Sequence, residues 1–128
     1  MEPTNLRYHE EHEWIRVEGQ QATLGISDFA QDALGDIVFI ELPKPGTVVT
    51  AGQQIGEVES TKTTSSIYTP VSGTIVKVNP DLKDHPEVVN SDPYGKGWMA
   101  VIDLSDPKQV DGLMTAAQYE TFLASHKK

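Results

Sequence analysis

Residues 56–73 read Gly-Glu-Val-Glu-Ser-Thr-Lys-Thr-Thr-Ser-Ser-Ile-Tyr-Thr-Pro-Val-Ser-Gly. Its centre, residues 60–66, contains six small hydroxyl residues and one long side chain, Lys62. Residues 55–58 and 67–71 on either side carry the Val, Ile and Tyr that are typical of β-strands. Two strands with a short polar connection predict a hairpin with Lys62 at or beside its tip. There the lysine amine projects into solvent, where another enzyme can reach and modify it.

A hairpin lysine of this kind has two interpretations. Most lysines on loops are simply solvated, and Ser and Thr hydroxyls commonly support turns by bonding to nearby backbone groups. The chemistry of residues 60–66 alone therefore makes Lys62 a candidate modification site and does not decide between the two.

The wider pattern resembles the attachment hairpin of lipoyl-carrying proteins. In that family an acidic residue three positions before the lysine and a glycine eleven positions after it recur, and here these are Glu59 and Gly73. Further stretches resemble one branch of that family, the H proteins of the glycine cleavage system. They are His-Glu-Trp at 12–14, the stretch from Gly-Ile-Ser-Asp to Ile-Glu-Leu-Pro at 25–43, and Val-Asn-Ser-Asp-Pro-Tyr-Gly-Lys-Gly-Trp at 89–98. The resemblance spans roughly residues 8–119, nearly the whole chain.

The resemblance implies a mainly β fold of the lipoyl and biotinyl carrier type. That fold is a barrel-sandwich hybrid in which two small antiparallel sheets are related by a quasi-two-fold axis. Residues 8–128 are expected to form this single H-protein-like domain, preceded by a flexible leader at 1–7.

A weak internal echo agrees with a two-fold arrangement. Pro-Gly-Thr-Val-Val at 45–49 is similar to Ser-Gly-Thr-Ile-Val at 72–76. Each is followed by polar residues and then a second apolar segment, at 54–58 and at 86–90. Two similar half-units around one hairpin suggest a pseudo-symmetric, two-sheet structure, although chance is a fair rival for so short a match.

Alternating apolar residues predict a first hairpin from strands at 14–18 and 22–26, and a last strand at 98–104. Residues 36–42 are apolar on both faces, which predicts a central strand. Short peripheral helices are expected at about 28–34, 106–114 and 116–126.

Capping residues set the ends of these helices. Ser27 or Asp28 can accept from first-turn amides, and Gly35 tolerates the left-handed conformation of a helix end. Ser105 or Asp106 precedes a proline at the first helical position, and residues 115–118 fit a capping box.

The resemblance also implies a function, that of a lipoylated carrier in the glycine cleavage system, with lipoate joined to Lys62 by an amide. Such a carrier takes an aminomethyl intermediate from glycine decarboxylase, the P protein, to the tetrahydrofolate-dependent aminomethyltransferase, the T protein. Dihydrolipoamide dehydrogenase, the L protein, then reoxidises the arm. An ordinary lysine amine is protonated at neutral pH, so a separate lipoate ligase or lipoyltransferase must load the arm. The carrier itself is expected to be a non-catalytic monomer.

Two further residues are assigned by the same resemblance. Glu13 matches a glutamate near the cleft that shelters the loaded arm in H proteins, although a carboxylate on a strand edge is otherwise simply solvated. The family often has an acidic residue four positions after the lysine, where this chain has Ser66. The hydroxyl can still form a hydrogen bond there, but it brings no charge.

Composition excludes several other classes of function. The 128-residue chain has a net charge of −9, which argues against binding to nucleic-acid phosphates. It has no cysteine, so a Cys-based nucleophile, metal site or disulfide is impossible, and redox chemistry needs the sulfur of a bound group. No apolar run approaches the ~20 residues of a membrane span. The first eleven residues are acidic, unlike a transit peptide, which favours a cytoplasmic protein.

No catalytic or metal-binding motif stands on its own. His9 and His12 lie three positions apart, whereas a zinc-protease helix needs four, so they are interpreted as a surface pair.

Three rival functions remain open. A lipoate relay for 2-oxoacid dehydrogenases would use the same attachment site. A biotin carrier is disfavoured, because methionines usually flank its lysine and here Thr61 and Thr63 do. The third is an unmodified β-rich interaction module.

Overall fold

The computed structural model describes residues 6–126 of the chain. Its nine described strands are β1 Arg7–Tyr8, β2 Glu13–Glu18, β3 Gln21–Ile26, β4 Ile37–Glu41, β5 Val48–Val49, β6 Gln54–Ser60, β7 Thr64–Tyr68, β8 Gly73–Val78 and β9 Ala100–Leu104. The helices are α1 Asp28–Leu34, α2 Asp81–Asp84, α3 Val88–Ser91 and α4 Ala116–His126, with a 3₁₀ helix at Pro107–Gly112.

The strands form two antiparallel sheets. The larger sheet has the order β1-β2-β3-β9-β8-β5, and the smaller has the order β4-β6-β7. Side chains from both sheets bury each other in one apolar core, because alternate residues of each strand point to the same side. Its members include Ile15, Leu24, Ile40, Val58, Ile67, Ile75 and Ile102. The prediction of a mainly β fold with two antiparallel sheets and short helices is confirmed.

A second apolar cluster attaches the C-terminal helix to the larger sheet. The Tyr119 ring of α4 stacks on Tyr8 of β1, with ring centroids 4.6 Å apart and planes 2° from parallel. Its hydroxyl lies 2.7 Å from Ser27 Oγ and 2.8 Å from His12 Nδ1. Trp14 completes the cluster and donates its indole N–H to the Pro93 carbonyl. Tyr119 therefore links α4 to β1 and to the start of α1.

The predicted helix ends agree with the structure. Ser27 Oγ accepts from the Ala30 amide, and Gly35 ends α1 with φ of +80°. At α4, Thr115 and Gln118 exchange side-chain to backbone hydrogen bonds of 2.9 and 3.2 Å, as in a capping box. The helix predicted at 106–114 is instead the shorter 3₁₀ helix, capped by Asp106.

One part of the predicted internal echo was wrong. The segment at 86–90, predicted to echo a strand, instead leads into the short helix α3, because Pro86 cannot donate a strand hydrogen bond and the polar Glu87 and Asn90 interrupt the apolar pattern. In the echo itself, β5 and β8 do pair with each other, Val48 opposite Thr74 and Val49 opposite Gly73. The two similar segments, at 45–49 and 72–76, thus contain strands that pair directly with each other in the larger sheet.

Residues 6 and 7, which were expected to belong to a flexible leader, are part of the fold. Leu6 is buried in the second cluster, and Arg7 pairs with Ile15 in β1. Arg7 also donates a hydrogen bond to the Leu113 carbonyl. The remaining part of this prediction, residues 1–5, lies outside the described residues.

Strand β4 is an edge strand, not the central strand predicted from its apolar sequence. It pairs only with β6, and the pairing contains a bulge between Ile37 and Phe39. The extra residue breaks the alternation, so that Val38 and Phe39 are both exposed while Ile37 and Ile40 are buried. Because Phe39 is 49% exposed, it forfeits roughly half of the about 1.5–3 kcal/mol that full burial of a Phe side chain would contribute.

Replacing Tyr119 with Phe tests how strongly its hydroxyl fixes α4. The change keeps the ring stack but leaves Ser27 Oγ and His12 Nδ1 without this partner. We expect Tyr119→Phe to lower the free energy of unfolding by about 1–3 kcal/mol, measured by urea titration. Tyr68→Phe is the control, since no hydrogen bond to the Tyr68 hydroxyl occurs within residues 6–126. Equal effects of the two variants would contradict this role.

Candidate functional site

The tip of the β6–β7 hairpin is a turn of four residues closed by Ser60. The Ser60 amide donates to the Thr63 carbonyl at 2.8 Å. Ser60 Oγ also accepts from the amides of Lys62 at 3.3 Å and Thr63 at 3.1 Å. One hydroxyl therefore orders the backbone on both sides of Lys62 without covering its side chain.

The tip is attached to the turn between α1 and β4. The Thr61 amide donates to the Asp36 carbonyl at 3.0 Å. The side chain of Asn90 in α3 fixes this α1–β4 turn, because it accepts from the Ile37 amide and donates to the Gly35 carbonyl. A segment about thirty residues away thus holds the position of the hairpin tip.

Lys62 itself is exposed, as predicted. Its aliphatic stem lies beside Gly35, where an added Cβ would come within 3.2 Å of Lys62 Cε. Lys62 takes part in neither of the two ion pairs found between described side chains, His9–Glu13 and His85–Glu87. The amine is accessible and is not held by a carboxylate.

Glu59 and Ser66 lie on the two strands behind the tip. Glu59 is exposed and pairs with Thr64, directly next to the turn. Ser66 is half-buried and pairs with Glu57. The structure thus brings Lys62, Glu59 and Ser66 together on one hairpin.

Gly73 lies elsewhere, buried at the start of β8 in the larger sheet. It pairs with Leu104 on one side and Val49 on the other. A Cβ here would collide with the Asp103 carbonyl oxygen and with the Ile102 side chain. Close approach of the neighbouring strand therefore accounts for glycine at this position.

Glu13 is buried, contrary to the expectation of a solvated carboxylate on a strand edge, with 1% of its surface exposed. Its Oε1 lies 2.9 Å from His9 Nδ1, and its Oε2 accepts from the Tyr68 amide at 2.9 Å. Because Tyr68 belongs to β7, the Glu13 carboxylate joins the two sheets. It reaches this position because His9 and His12 fold the preceding segment back through backbone hydrogen bonds of 2.8 Å.

The pKa values of Glu13 and His9 are both raised in the folded chain. Loss of water raises the pKa of the Glu13 carboxyl, although the hydrogen bond from His9 opposes this. The hydrogen bond to Glu13 raises the pKa of the His9 imidazole, and Glu10 and Glu11 add to this. Both groups therefore bind their protons more tightly in the folded chain.

The interpretation of His9 and His12 as a surface pair was wrong. His9 pairs with Glu13, and His12, at φ of +77°, pairs with Tyr119. Sequence reasoning missed the His9–Glu13 pair; the only signal was their spacing of four, which normally matters in a helix. No group of three His, Asp or Glu residues in the described part of the chain could hold a metal ion. None of the described helices has the length and apolarity to cross a membrane.

Comparison with known proteins gives consistent matches. The family described as "Glycine cleavage H-protein" matches residues 6–126. The chain is 58% identical over 117 residues to the glycine cleavage system H protein of Geobacillus thermodenitrificans, covering 91% of this chain and 92% of that one. It is 54% identical over 121 residues to that of Myxococcus xanthus, covering 94% of each. A crystal structure of a glycine cleavage system H protein from Mycobacterium marinum superposes with a TM-score of 0.86 at 38% identity, covering 98% and 99% of the two chains.

The His9–Glu13 pair predicts a specific pH dependence. His9 contributes stability that is fully present below its ordinary pKa of about 6.5 and is lost as the pH rises through its raised folded value. We expect His9→Ala to lower the unfolding free energy by about 1–3 kcal/mol at pH 6.5 and by less at pH 8.5, measured by urea titration. In a Glu13→Gln background this pH dependence should be much smaller, because Glu13 makes the largest contribution to the raised pKa of His9.

The control is His85→Ala, because the His85–Glu87 pair is exposed and contributes little. An effect of His9→Ala that is the same at both pH values, or larger at pH 8.5, would contradict the assignment.

The Gly73→Ala variant tests whether Gly73 is needed for packing in the larger sheet or for recognition by the enzyme that modifies the hairpin. The added methyl group meets backbone that cannot move aside, so we expect a loss of roughly 1–3 kcal/mol in unfolding free energy. Modification of Lys62 in the folded variant should continue at the normal rate. Gly112→Ala is the control, since nothing lies within 4 Å of its added Cβ. A folded Gly73→Ala protein that is not modified would instead show that this glycine acts in recognition.

Proposed function

This chain belongs to the glycine cleavage H-protein family, and we propose that Lys62 is the residue that carries its lipoyl group. Proteins of this family are non-catalytic carrier subunits that hold lipoate covalently on a lysine. The chain is accordingly a lipoylated carrier of the glycine cleavage system. Its partners are glycine decarboxylase, the aminomethyltransferase and dihydrolipoamide dehydrogenase.

The observation that supports Lys62 is the combination of exposure and backbone order at the hairpin tip. The amine is in solvent, no described carboxylate pairs with it, and its neighbours Thr61 and Thr63 are small and exposed. The backbone beneath it is fixed by Ser60 and by Asp36. A long acyl chain attached here can leave the surface without a steric clash, so the residues present fit the group.

Lipoate supplies a reactive disulfide at the end of a long arm, which this cysteine-free chain lacks. The contribution of the protein is to hold the point of attachment. Tethering keeps the carried group at high effective concentration near each docked active site.

The other residues named from the sequence are proposed to act in recognition, in packing or in sheltering the arm. Glu59, exposed beside the turn, is well placed for recognition by the loading enzyme. For Gly73, packing in the larger sheet is the better-supported role. Ser66, half-buried on β7, is proposed to line the surface that shelters the arm. Glu13, buried with both carboxylate oxygens bonded, is proposed to hold that surface in place through the amide of Tyr68, two residues after Ser66.

We further propose that residues 8–128 act as one carrier domain in the cytoplasm, the second point resting on similarity to bacterial relatives. Cell fractionation tests it. A relay that donates lipoate to 2-oxoacid dehydrogenases would use the same lysine, and transfer assays with those enzymes distinguish it. The flanking Thr61 and Thr63 continue to disfavour a biotin carrier.

Lys62→Arg tests the attachment site. The protein is expressed with a lipoate-attaching enzyme and lipoate, and its intact mass is measured. The wild type should gain one lipoyl group, and Lys62→Arg none. The variant should unfold at the same urea concentration within error, because an exposed turn residue contributes little packing.

Lys44→Arg is the matched control, an exposed lysine outside the hairpin, and it should be modified like the wild type. A lipoyl group on Lys62→Arg, or glycine decarboxylation supported by that variant, would contradict the proposal.

A further inference from the structure

The solvent face of the smaller sheet combines exposed apolar residues with unpaired carboxylates. We define this acidic–apolar face by Val38 and Phe39 of β4, Glu41 at the end of β4, and Glu57 and Glu59 of β6. Phe39 lies directly opposite Glu59, and Glu41 directly opposite Glu57. Directly opposed residues in an antiparallel pair share a face, so these side chains form one continuous surface.

The bulge in β4 creates the apolar part of this face. Ile37 pairs with Ser60 and Phe39 with Glu59, so Val38 is the extra residue. Without the bulge, regular alternation would turn Phe39 to the same side as the buried Ile37. With it, Val38 is 54% exposed and Phe39 49% exposed. Bulges often re-aim side chains near functional sites.

The charges of this face also work against the isolated fold. Like charges directly opposite each other in a sheet are destabilising, and Glu41 faces Glu57. Strands β4, β6 and β7 contain no Lys or Arg that could compensate. Within residues 6–126, none of the three glutamates takes part in an ion pair. Folding stability therefore explains neither the exposed Phe39 nor the uncompensated carboxylates.

The face is continuous with the modification site. Ser60, which closes the turn, pairs with Ile37 at the start of β4, and Thr61 bonds to the Asp36 carbonyl. An enzyme that contacts the hairpin tip from this side must therefore also cover Val38 and Phe39.

We propose that the acidic–apolar face is the docking surface for the enzyme that acylates Lys62. The partner surface would offer an apolar pocket for Phe39 and Val38, surrounded by Lys and Arg side chains that pair with Glu41, Glu57 and Glu59. The proposal rests on Lys62 being the attachment site.

The loading enzyme is favoured over the enzymes that act on the finished arm because of where each reaction occurs. Loading takes place at the lysine nitrogen, on the protein surface. Enzymes that use the dithiolane meet it at the far end of the arm, so they need not contact β4. In the loading step, deprotonated Lys62 Nζ attacks the carbonyl carbon of an acyl-adenylate. The amide forms as the bond to AMP breaks, and the proton passes to a base of the enzyme.

The test is steady-state acylation of the purified full-length chain by a lipoate–protein ligase with lipoate and ATP. We expect Val38→Ser/Phe39→Ser to raise the KM for the carrier about tenfold or more, as for the loss of central apolar contacts, with kcat changed less than about twofold. Val48→Ser is the matched control, because Val48 is 73% exposed but lies on β5 in the other sheet. Urea titrations of all variants verify that each is folded.

A charge variant tests the second half of the surface. Glu41→Gln/Glu57→Gln should also raise the KM, and should weaken the dependence of KM on salt concentration, because exposed charges are screened by salt. The same variant should be no less stable than the wild type, since it removes a like-charge pair. Asp103→Asn is the control, an exposed carboxylate in the other sheet.

The possible results distinguish an error in the docking surface from an error in the attachment site. A wild-type chain that is never acylated at Lys62 overturns both. Normal acylation of the wild type and an unchanged KM for Val38→Ser/Phe39→Ser overturn the docking surface alone. A wild-type dimer in sedimentation that the double variant abolishes would reassign the face to a second copy. Normal loading with impaired glycine decarboxylation would reassign it to an enzyme acting on the arm.

Discussion

The proposed attachment of lipoate at Lys62 depends on the backbone of one four-residue turn, residues 60–63. The lysine of a carrier needs an accessible side-chain nitrogen and an ordered backbone, and an ordinary flexible loop provides only the first. Ser60 satisfies the amides around Lys62, and the Thr61 amide is held by the Asp36 carbonyl. Asn90 then secures that neighbouring turn. The amine stays in solvent because every constraint is placed on the main chain.

Glutamate carboxylates occur in two contrasting environments in this protein, one buried and hydrogen-bonded and the other reached by solvent. Glu13 is withdrawn from water and fully bonded, to His9 on one side and to the Tyr68 amide on the other, and so ties the two sheets together. Glu41, which is exposed, and Glu57, which is half-buried, lie opposite each other on the outer side of the smaller sheet. A buried carboxylate without partners would be costly, whereas carboxylates that water still reaches cost less and leave charge available to a partner. Burial thus separates structural acids from interacting ones.

The errors of sequence interpretation have a common physical cause. Ile-Val-Phe-Ile at 37–40 is apolar on both faces, the usual sign of a strand covered on both sides. The bulge that exposes Val38 and Phe39 depends on the pairing of β4 with β6, which no local pattern records. Likewise, His9 and His12 are three positions apart, yet His9 bonds to Glu13 four positions away and His12 bonds to Tyr119 107 positions away.

Through family resemblance, the sequence by itself predicted the part that we propose for Lys62. It also determined the hairpin and the helix caps at Ser27 and Gly35. These features rest on bonds between residues a few positions apart, so composition and spacing record them. Only the tertiary structure decided that β4 lies at an edge and that Glu13 is buried. Glu13 and Tyr68 are 55 positions apart, and such a contact forms only when two sheets close on a common core.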